Sequence, residues 1–274
     1  MAVARKFGFI EYSTDPEIIF NDNEINTVFI VTHHNSHAIY VKKALQSGKN
    51  VFVEKPLAVT ENDLNEIREL YGKTNANLLV GFNRRFSKQF SIIKEFISRS
   101  KEPVIINYRV NAGSILPDSW LNDPDQGGRI IGEACHFIDI FNFLIESEPI
   151  SVYASATGTQ DESVVVTITY SNGSVANLLY LTNGNKLLAK EYCEVFTGGM
   201  IAIMDDFKKV ILFDNRKRKF KFSGEKGHRE EIEHFIKVLK GEEKPKLSFE
   251  SIYKTTLITF KIIESYRSQR VIYL

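Results

Sequence analysis

Apolar positions in the first third of this chain recur with two alternating periods. Asn26-Thr-Val-Phe-Ile-Val-Thr32 is a continuous apolar run of the kind a parallel sheet buries on both faces. The next segment changes to helical spacing: Ile39, Ala44 and Leu45 share a stripe with Val41 at its edge, Ser36 is the expected N-cap and Gly48 the stop. Asn50 to Val53 reads as a second strand. Thr60 then opens a helix that runs to about Tyr71, with Asp63 in the capping position three residues on, and Asn77 to Phe82 reads as a third strand. Upstream, Thr14-Asp-Pro-Glu17 carries helix-start chemistry with Pro16 at a first helical position. Strands and helices that alternate with short connections imply right-handed crossovers and a parallel sheet.

The pattern changes near Arg85. A helix around Phe90 to Ile97 leads to a strand over Pro103 to Val110, a turn-rich loop from Asn111 to Gly128, and an amphipathic helix from Gly132 to Leu144. Long strands follow, with a hairpin at Ser171-Asn-Gly-Ser174, where Asn-Gly is expected to supply the positive φ values of a two-residue turn. Strands over Glu194 to Phe196, Ile201 to Met204 and Lys209 to Phe213 extend the sheet, and Gly227-His-Arg-Glu230 opens the first of two closing helices. The expected fold class is therefore α/β: residues 1–85 form an incomplete Rossmann-like parallel layer, and residues 86–274 an α+β domain around a mostly antiparallel sheet.

With 274 residues, 43% hydrophobic, 25% charged and a formal net charge of +1, the chain has the composition of an ordinary globular protein. That balance offers no basic field for nucleic acid or an anionic membrane. Arg216-Lys-Arg-Lys219, followed by Phe-Lys-Phe, reads as the solvated face of a strand. No apolar run approaches the roughly 18 residues of a membrane helix, and the first seven residues lack the apolar core of a signal peptide. Cys135 and Cys193 lie in no metal or redox spacing, so no metal site is expected and a reducing, cytoplasmic setting fits.

Candidate chemistry centres on Val51-Phe-Val-Glu-Lys-Pro-Leu57. In open parallel sheets ligands bind beyond the carboxyl ends of the strands, and Lys55 is placed at such an end, with Pro56 stopping the strand. A solvated charge is the plain alternative for such a lysine. Four segments stand in order along the chain: Thr32-His-His-Asn-Ser-His37, Glu54-Lys-Pro56, Gly81-Phe-Asn-Arg-Arg-Phe86, and Gly127-Gly-Arg-Ile-Ile-Gly-Glu-Ala-Cys-His136 with Asp139 beyond. Together they resemble the glucose–fructose oxidoreductase, inositol dehydrogenase and rhizopine-catabolism family (Gfo/Idh/MocA) over nearly the whole chain. The last string and Lys226-Gly-His228 resemble the branch that also occurs fused behind zinc-type alcohol dehydrogenase modules.

The resemblance implies an oxidoreductase using NAD or NADP, with a sugar, cyclitol or related polyhydroxylated substrate. Lys55 and His136 would flank the reacting hydroxyl beside the nicotinamide. The chemistry suits them, because hydride leaves a carbinol carbon only as the hydroxyl proton is removed, and lysine and histidine can both be tuned to exchange that proton. Thr32, His37, Glu54 and Pro56 are the expected cofactor contacts; Glu54 could equally orient Lys55 or cap local amides. Asn83 and Arg84 are expected to line the cleft, whereas Arg85 could as well lie on the surface. Tyr108 and Trp120 are candidate platforms for a sugar ring, with the core as the plain alternative.

Two departures from the family pattern bear on function. Many members carry an aspartate four residues before the helix histidine; here that position is Gly132, and Glu133 stands one residue on, about 100° round a helix. The sequence also holds no Gly-x-Gly-x-x-Gly ahead of residue 26, and its start corresponds to the family's second helix. The expectation is an N-terminally truncated chain with impaired turnover, the other possibility being an inactive sugar-binding or assembly module. Self-association through the antiparallel sheet is expected as well.

Overall fold

The computed structural model describes residues 2–115, 118–158 and 163–274. A short helix α1 (Ala2–Phe7) and α2 (Glu17–Asn21), with Pro16 at its N-cap, precede three parallel strands, β1 (Thr27–Ile30), β2 (Asn50–Val53) and β3 (Leu78–Val80), in the order β1-β2-β3. Helices α3 (His34–Gln46) and α4 (Glu61–Tyr71) make the crossovers. α4 starts where its cap chemistry places it: the Thr60 hydroxyl accepts the Asp63 amide and donates to the Asp63 carboxylate. α3 begins two residues before the expected cap. His33 is its N-cap residue, and the Ser36 hydroxyl lies inside the first turn, donating to the His33 carbonyl at 2.7 Å and pairing with the Thr32 hydroxyl at 2.6 Å. At the other end Gly48 is left-handed, with φ +67°, as a helix stop requires.

Helix α5 (Lys88–Ile97) leads into a nine-stranded sheet ordered β11-β10-β9-β8-β4-β7-β6-β5-β12. Its strands are β4 (Ile105–Asn111), β5 (Pro149–Ala156), β6 (Val164–Tyr170), β7 (Val175–Leu181), β8 (Glu191–Thr197), β9 (Met200–Asp205), β10 (Lys209–Phe213), β11 (Lys217–Lys221) and β12 (Ile272–Tyr273). Every pairing is antiparallel except β4 with β7. The β6–β7 hairpin departs from a two-residue turn. Only Gly173 has positive φ, and Tyr170 and Ser174 bond across a three-residue loop, so Asn172 stays in an ordinary conformation. The basic run forms the exposed edge strand β11.

Alternation along the sheet sets one apolar face inward. On β6, Val164, Val166, Ile168 and Tyr170 are buried, while Val165, Thr167 and Thr169 point outward, so the outer face of this strand has one apolar residue rather than a matching set. The inner face packs on α5, α6 (Cys135–Ile145) and the second closing helix α8 (Phe249–Ser268) through Phe90, Phe137, Phe141, Ile258 and Ile262. Removing a ring as deeply buried as Phe137 costs about 3–5 kcal/mol. Helix α7 (His228–Leu239) and the start of α8 return to the first layer: Phe235, Leu247 and Ile252 belong to the core built on β1–β3. The two sheets are thereby held against each other by helices that follow every strand but β12 in sequence. Among the described residues no helix is long and apolar enough to cross a membrane. Residues 116–117 of the turn-rich loop lie outside the described residues.

Candidate active site

The carboxyl ends of β1, β2 and β3 place three segments at one edge of the first layer: Thr32–His37, Glu54–Pro56 and Gly81–Phe86. The second domain meets this edge with the segment that leads into α6. Residues Ile130–Ala134 form a π-helical turn, and His136 follows in the first turn of α6. Such a turn widens the backbone locally and changes which side chains face the partner. Here the Lys55 Nζ donates to the Gly132 carbonyl at 2.7 Å, joining a strand end of one layer to the helix entrance of the other across 77 residues of sequence.

His136 stands in the same region. It is 7% exposed, its Nδ1 is buried with no hydrogen-bond partner, and its ring meets Phe82 edge-on. Burial pushes its pKa well below the usual histidine value, and the charges of Arg84, Lys55, His228 and Lys190 push the same way, so the ring is neutral near pH 7. A buried imidazole nitrogen with no partner is costly unless something else bonds to it.

His34 completes the group. Its Nδ1 lies 3.0 Å from the Gln126 carbonyl, and its pKa is lowered to about 4, first by burial and then by Lys55, His37 and His33, against the opposing pull of that hydrogen bond. Trp120 lies at the mouth, 43% exposed, stacked on His33 at 4.7 Å and edge-on to His34 at 4.8 Å. Thr32, which precedes His33 in the chain, is exposed.

Several expected contacts occupy other positions. His37 is fully buried, with Nδ1 2.7 Å from the Pro56 carbonyl and Nε2 3.0 Å from the Thr32 carbonyl, so it ties two strand ends together and has no surface for a cofactor. Pro56 is buried with its carbonyl spent on that contact. Glu54 is half-buried; its carboxylate lies over Gly81, where an added Cβ would come within 3.0 Å of Oε2. Asn83 is 2% exposed and donates to the Lys226 carbonyl at 2.9 Å. Arg84 does not line the cleft: its guanidinium makes a bidentate pair with Glu191, at 3.0 and 2.9 Å. Tyr108 is not a sugar platform either, because its ring is wholly buried and its hydroxyl donates to the same carboxylate at 2.7 Å. Arg85 is likewise internal, paired bidentately with the buried Asp139.

Glu133 points toward the sheet, where Tyr180 and Lys190 donate to its carboxylate. Burial raises its pKa, but Lys190 and Tyr180 outweigh this and the group stays below its usual value. It therefore does not fill the space beside Gly132. His34 does: a Cβ on Gly132 would meet His34 Cε1 at 2.8 Å.

Sequence reasoning missed Glu191 and Glu231. Glu191 also takes Lys226 at 2.5 Å, and although burial works against its charge, Arg84 and Lys226 hold its pKa at about 2. A signal existed: Glu191, Cys193 and Val195 share the inward phase of β8. Glu231 on α7 is 2% exposed with a partnerless Oε1. Burial, then the charges of Glu54 and Asp139, raise its pKa to about 9, with Arg85 opposing. Among the described residues no cluster of three or more His, Cys, Asp or Glu could hold a metal ion.

Comparison with known proteins agrees with this arrangement. Residues 1–82 match the model of the oxidoreductase family with an NAD-binding Rossmann fold, and residues 102–195 match the GFO/IDH/MocA C-terminal domain. The uncharacterized oxidoreductase YrbE of Bacillus subtilis is 29% identical over 61% of this chain and 52% of its own length. Myo-inositol 2-dehydrogenase of Thermotoga maritima is 25% identical over 97% of this chain and 84% of its own. For several further curated relatives the match spans less than half of the relative's length. The fold is also that of a levoglucosan dehydrogenase solved with NADH and levoglucosan, with a TM-score of 0.87 at 20% identity, covering 99% of this chain and 86% of that one. Two family models in the right order, over the two layers whose edges meet at Lys55 and Gly132, place this chain in the Gfo/Idh/MocA oxidoreductase family.

Proposed function

We propose that the cleft between the two layers is the active site of an NAD(P)-dependent oxidoreductase that acts on a secondary hydroxyl of a sugar, cyclitol or related polyhydroxylated compound. The observation that supports this reading best is the partnerless, buried Nδ1 of the neutral His136, in the electrostatic reach of Lys55. A substrate hydroxyl at the small exposed part of this neutral ring would lie between an imidazole acceptor and the field of the Lys55 ammonium.

The residues present fit the nicotinamide end of a dinucleotide. The carboxyl ends of β1 to β3 form the crevice in which parallel sheets bind such groups, and Thr32 stands exposed at its rim. A bound nicotinamide supplies the two-electron acceptor for the hydride. The chain's own residues manage the proton. As the carbon–hydrogen bond breaks, the hydroxyl proton passes to the free His136 nitrogen, and Lys55 Nζ donates to the oxygen as it becomes a carbonyl. In the reverse direction the imidazolium returns the proton. His37 acts at one remove, tying the chain just after Lys55 to the end of β1 through the Pro56 and Thr32 carbonyls.

The outer face of the nine-stranded sheet, with Ile105, Tyr153 and Val165 all exposed, is the surface through which two copies would associate. The catalytic reading is tested by titrating NADH into the protein by calorimetry and then following NAD+ reduction with myo-inositol, scyllo-inositol, levoglucosan and glucose. NADH binding with turnover of at least one polyol, at an impaired rate, is the expected result. Polyol binding without turnover would leave a sugar-binding module in its place.

A further inference from the structure

A cavity of about 1040 Å³ adjoins the segment that holds Lys55. Its walls include Ile130 and Ile131, which open the same π-helical turn whose Gly132 carbonyl accepts from Lys55. Helix α8 contributes Phe260, Ile263 and Arg267, and the start of α4 contributes Glu61. Lys55, His34, His136 and Trp120 are not among the walls. The lining is closely packed where it meets the chain on either side of the Lys55–Gly132 contact: a Cβ on Gly127, whose φ is +77°, would come within 3.1 Å of Ile131 and 3.3 Å of Val59.

The chemistry of the walls restricts what can occupy them. Most of the side chains are apolar, and the polar ones are largely committed to the protein. The Thr60 hydroxyl caps α4, Glu61 is paired with Lys261 at 3.1 Å, and the Arg129 guanidinium donates to the Gly113 carbonyl at 2.7 Å. Arg267 differs: it is exposed, and its guanidinium has no hydrogen bond or ion pair among the described residues. The last turn of α8 favours a cation in any case; the apolar cavity beside it gives that charge a second use. A polyol would leave its hydroxyls without partners against such walls. An apolar chain that ends in an anion suits both parts, and the volume is that of a small-molecule site, for which roughly 300–1,000 Å³ is usual.

We propose that this cavity is a binding site for an organic carboxylate with an extended apolar chain, which lies against Ile130, Ile131, Phe260 and Ile263 and sets its carboxylate on Arg267. The site is additional to the catalytic cleft, and it stands whether or not the cleft oxidises polyols. Its occupant would rest on the turn that supplies the Gly132 carbonyl to Lys55.

The test is a titration of decanoate, below its micellar range, into the full chain. Calorimetry gives the affinity, and the fluorescence of Trp120, the chain's single tryptophan and the neighbour of the cavity-lining Leu121, reports on the site. The expected result is saturable binding of about one equivalent with a dissociation constant below about 1 mM, accompanied by a fluorescence change, and weaker binding of decyltrimethylammonium. Arg267→Gln should weaken decanoate binding about fivefold, and Arg267→Glu further; both replace an exposed side chain. Ile263→Glu, which sets an acid against the chain, should abolish saturable binding. His136→Ala should leave the affinity unchanged. The proposal is overturned if decanoate does not bind saturably, if the Arg267 variants bind it as wild type does, or if His136→Ala abolishes binding, which would put the anion in the catalytic cleft. Should Ile263→Glu unfold, the Arg267 and His136 variants still decide.

Discussion

Two polar clusters lie close together between the same two layers and differ in one respect. Around Glu191 every partner is spent: Arg84 forks onto the carboxylate, Tyr108 and Lys226 complete it, and the acid is fully buried. Around Lys55 the polar groups are buried or half-buried but incompletely used, with His136 Nδ1 partnerless and His34 satisfied at one nitrogen only. The first arrangement holds the layers together. The second is what a site built for a hydroxyl-bearing ligand needs, because donors and acceptors already committed to the protein have nothing left for a substrate. Burial alone does not separate the two; the count of unspent donors and acceptors does.

The sharpest way to break the comparison is to remove a member of each cluster. Glu191→Ala leaves the buried guanidinium of Arg84 without its counter-charge and should lower unfolding stability by about 3–5 kcal/mol, read from urea midpoints. The same cluster should report on acid: because the folded-state pKa is about 2, below the usual carboxylate value, the stability contributed by Glu191 is fully present above about pH 4.5 and is lost as pH falls toward 2. Lys55→Ala should do the opposite to the two readouts. Polyol-dependent turnover should fall by about a hundredfold or more, while the urea midpoint stays near that of wild type.

Glu231 lies between these extremes, unsatisfied yet behind the cleft. Its folded pKa of about 9 lies above the unfolded value, so the folded state holds an extra proton between about pH 4.5 and 9, and stability should decline as pH rises through that window. Glu231→Gln keeps the neutral shape and should remove that decline, seen as a melting-temperature difference between variant and wild type that grows toward pH 9. Glu54 and Asp139 raise the pKa of this group, while Arg85 opposes them, so Arg85→Ala should extend the decline to higher pH without steepening it. The smallest effect expected is on assembly. Val165→Glu on the outer sheet face should shift light-scattering mass toward a monomer without moving the urea midpoint.

Much of this was legible in the residues. The apolar runs at β1 and β2 and the Thr60 cap placed the parallel layer, and Glu-Lys-Pro placed a lysine at a strand end. What escaped depends on contacts distant in sequence. Arg84 was expected to line the cleft from the resemblance of its segment, and Tyr108 was a candidate sugar platform with the core as alternative; both are buried on Glu191, 107 and 83 residues away. By α-helical phase Glu133 stands about 100° from the position of the absent aspartate, and in the π-helical turn its carboxylate goes to Tyr180 and Lys190. Trp120 is the aromatic that reached the mouth, where it packs on His33 and His34 of the segment that follows β1. A histidine packed on a glycine has no periodicity that sequence inspection could detect.

The central claim is that the unspent groups, and not the satisfied ion pairs, perform the chemistry. The direct measurement is NAD+ reduction at 340 nm with a polyol in excess, for wild type, Lys55→Ala and His136→Ala, with urea midpoints recorded on the same preparations. The account predicts impaired but measurable turnover by wild type and a further loss of about a hundredfold or more in both variants at near-native stability. It is contradicted if wild type reduces no NAD+ with any polyol, or if either variant retains full turnover.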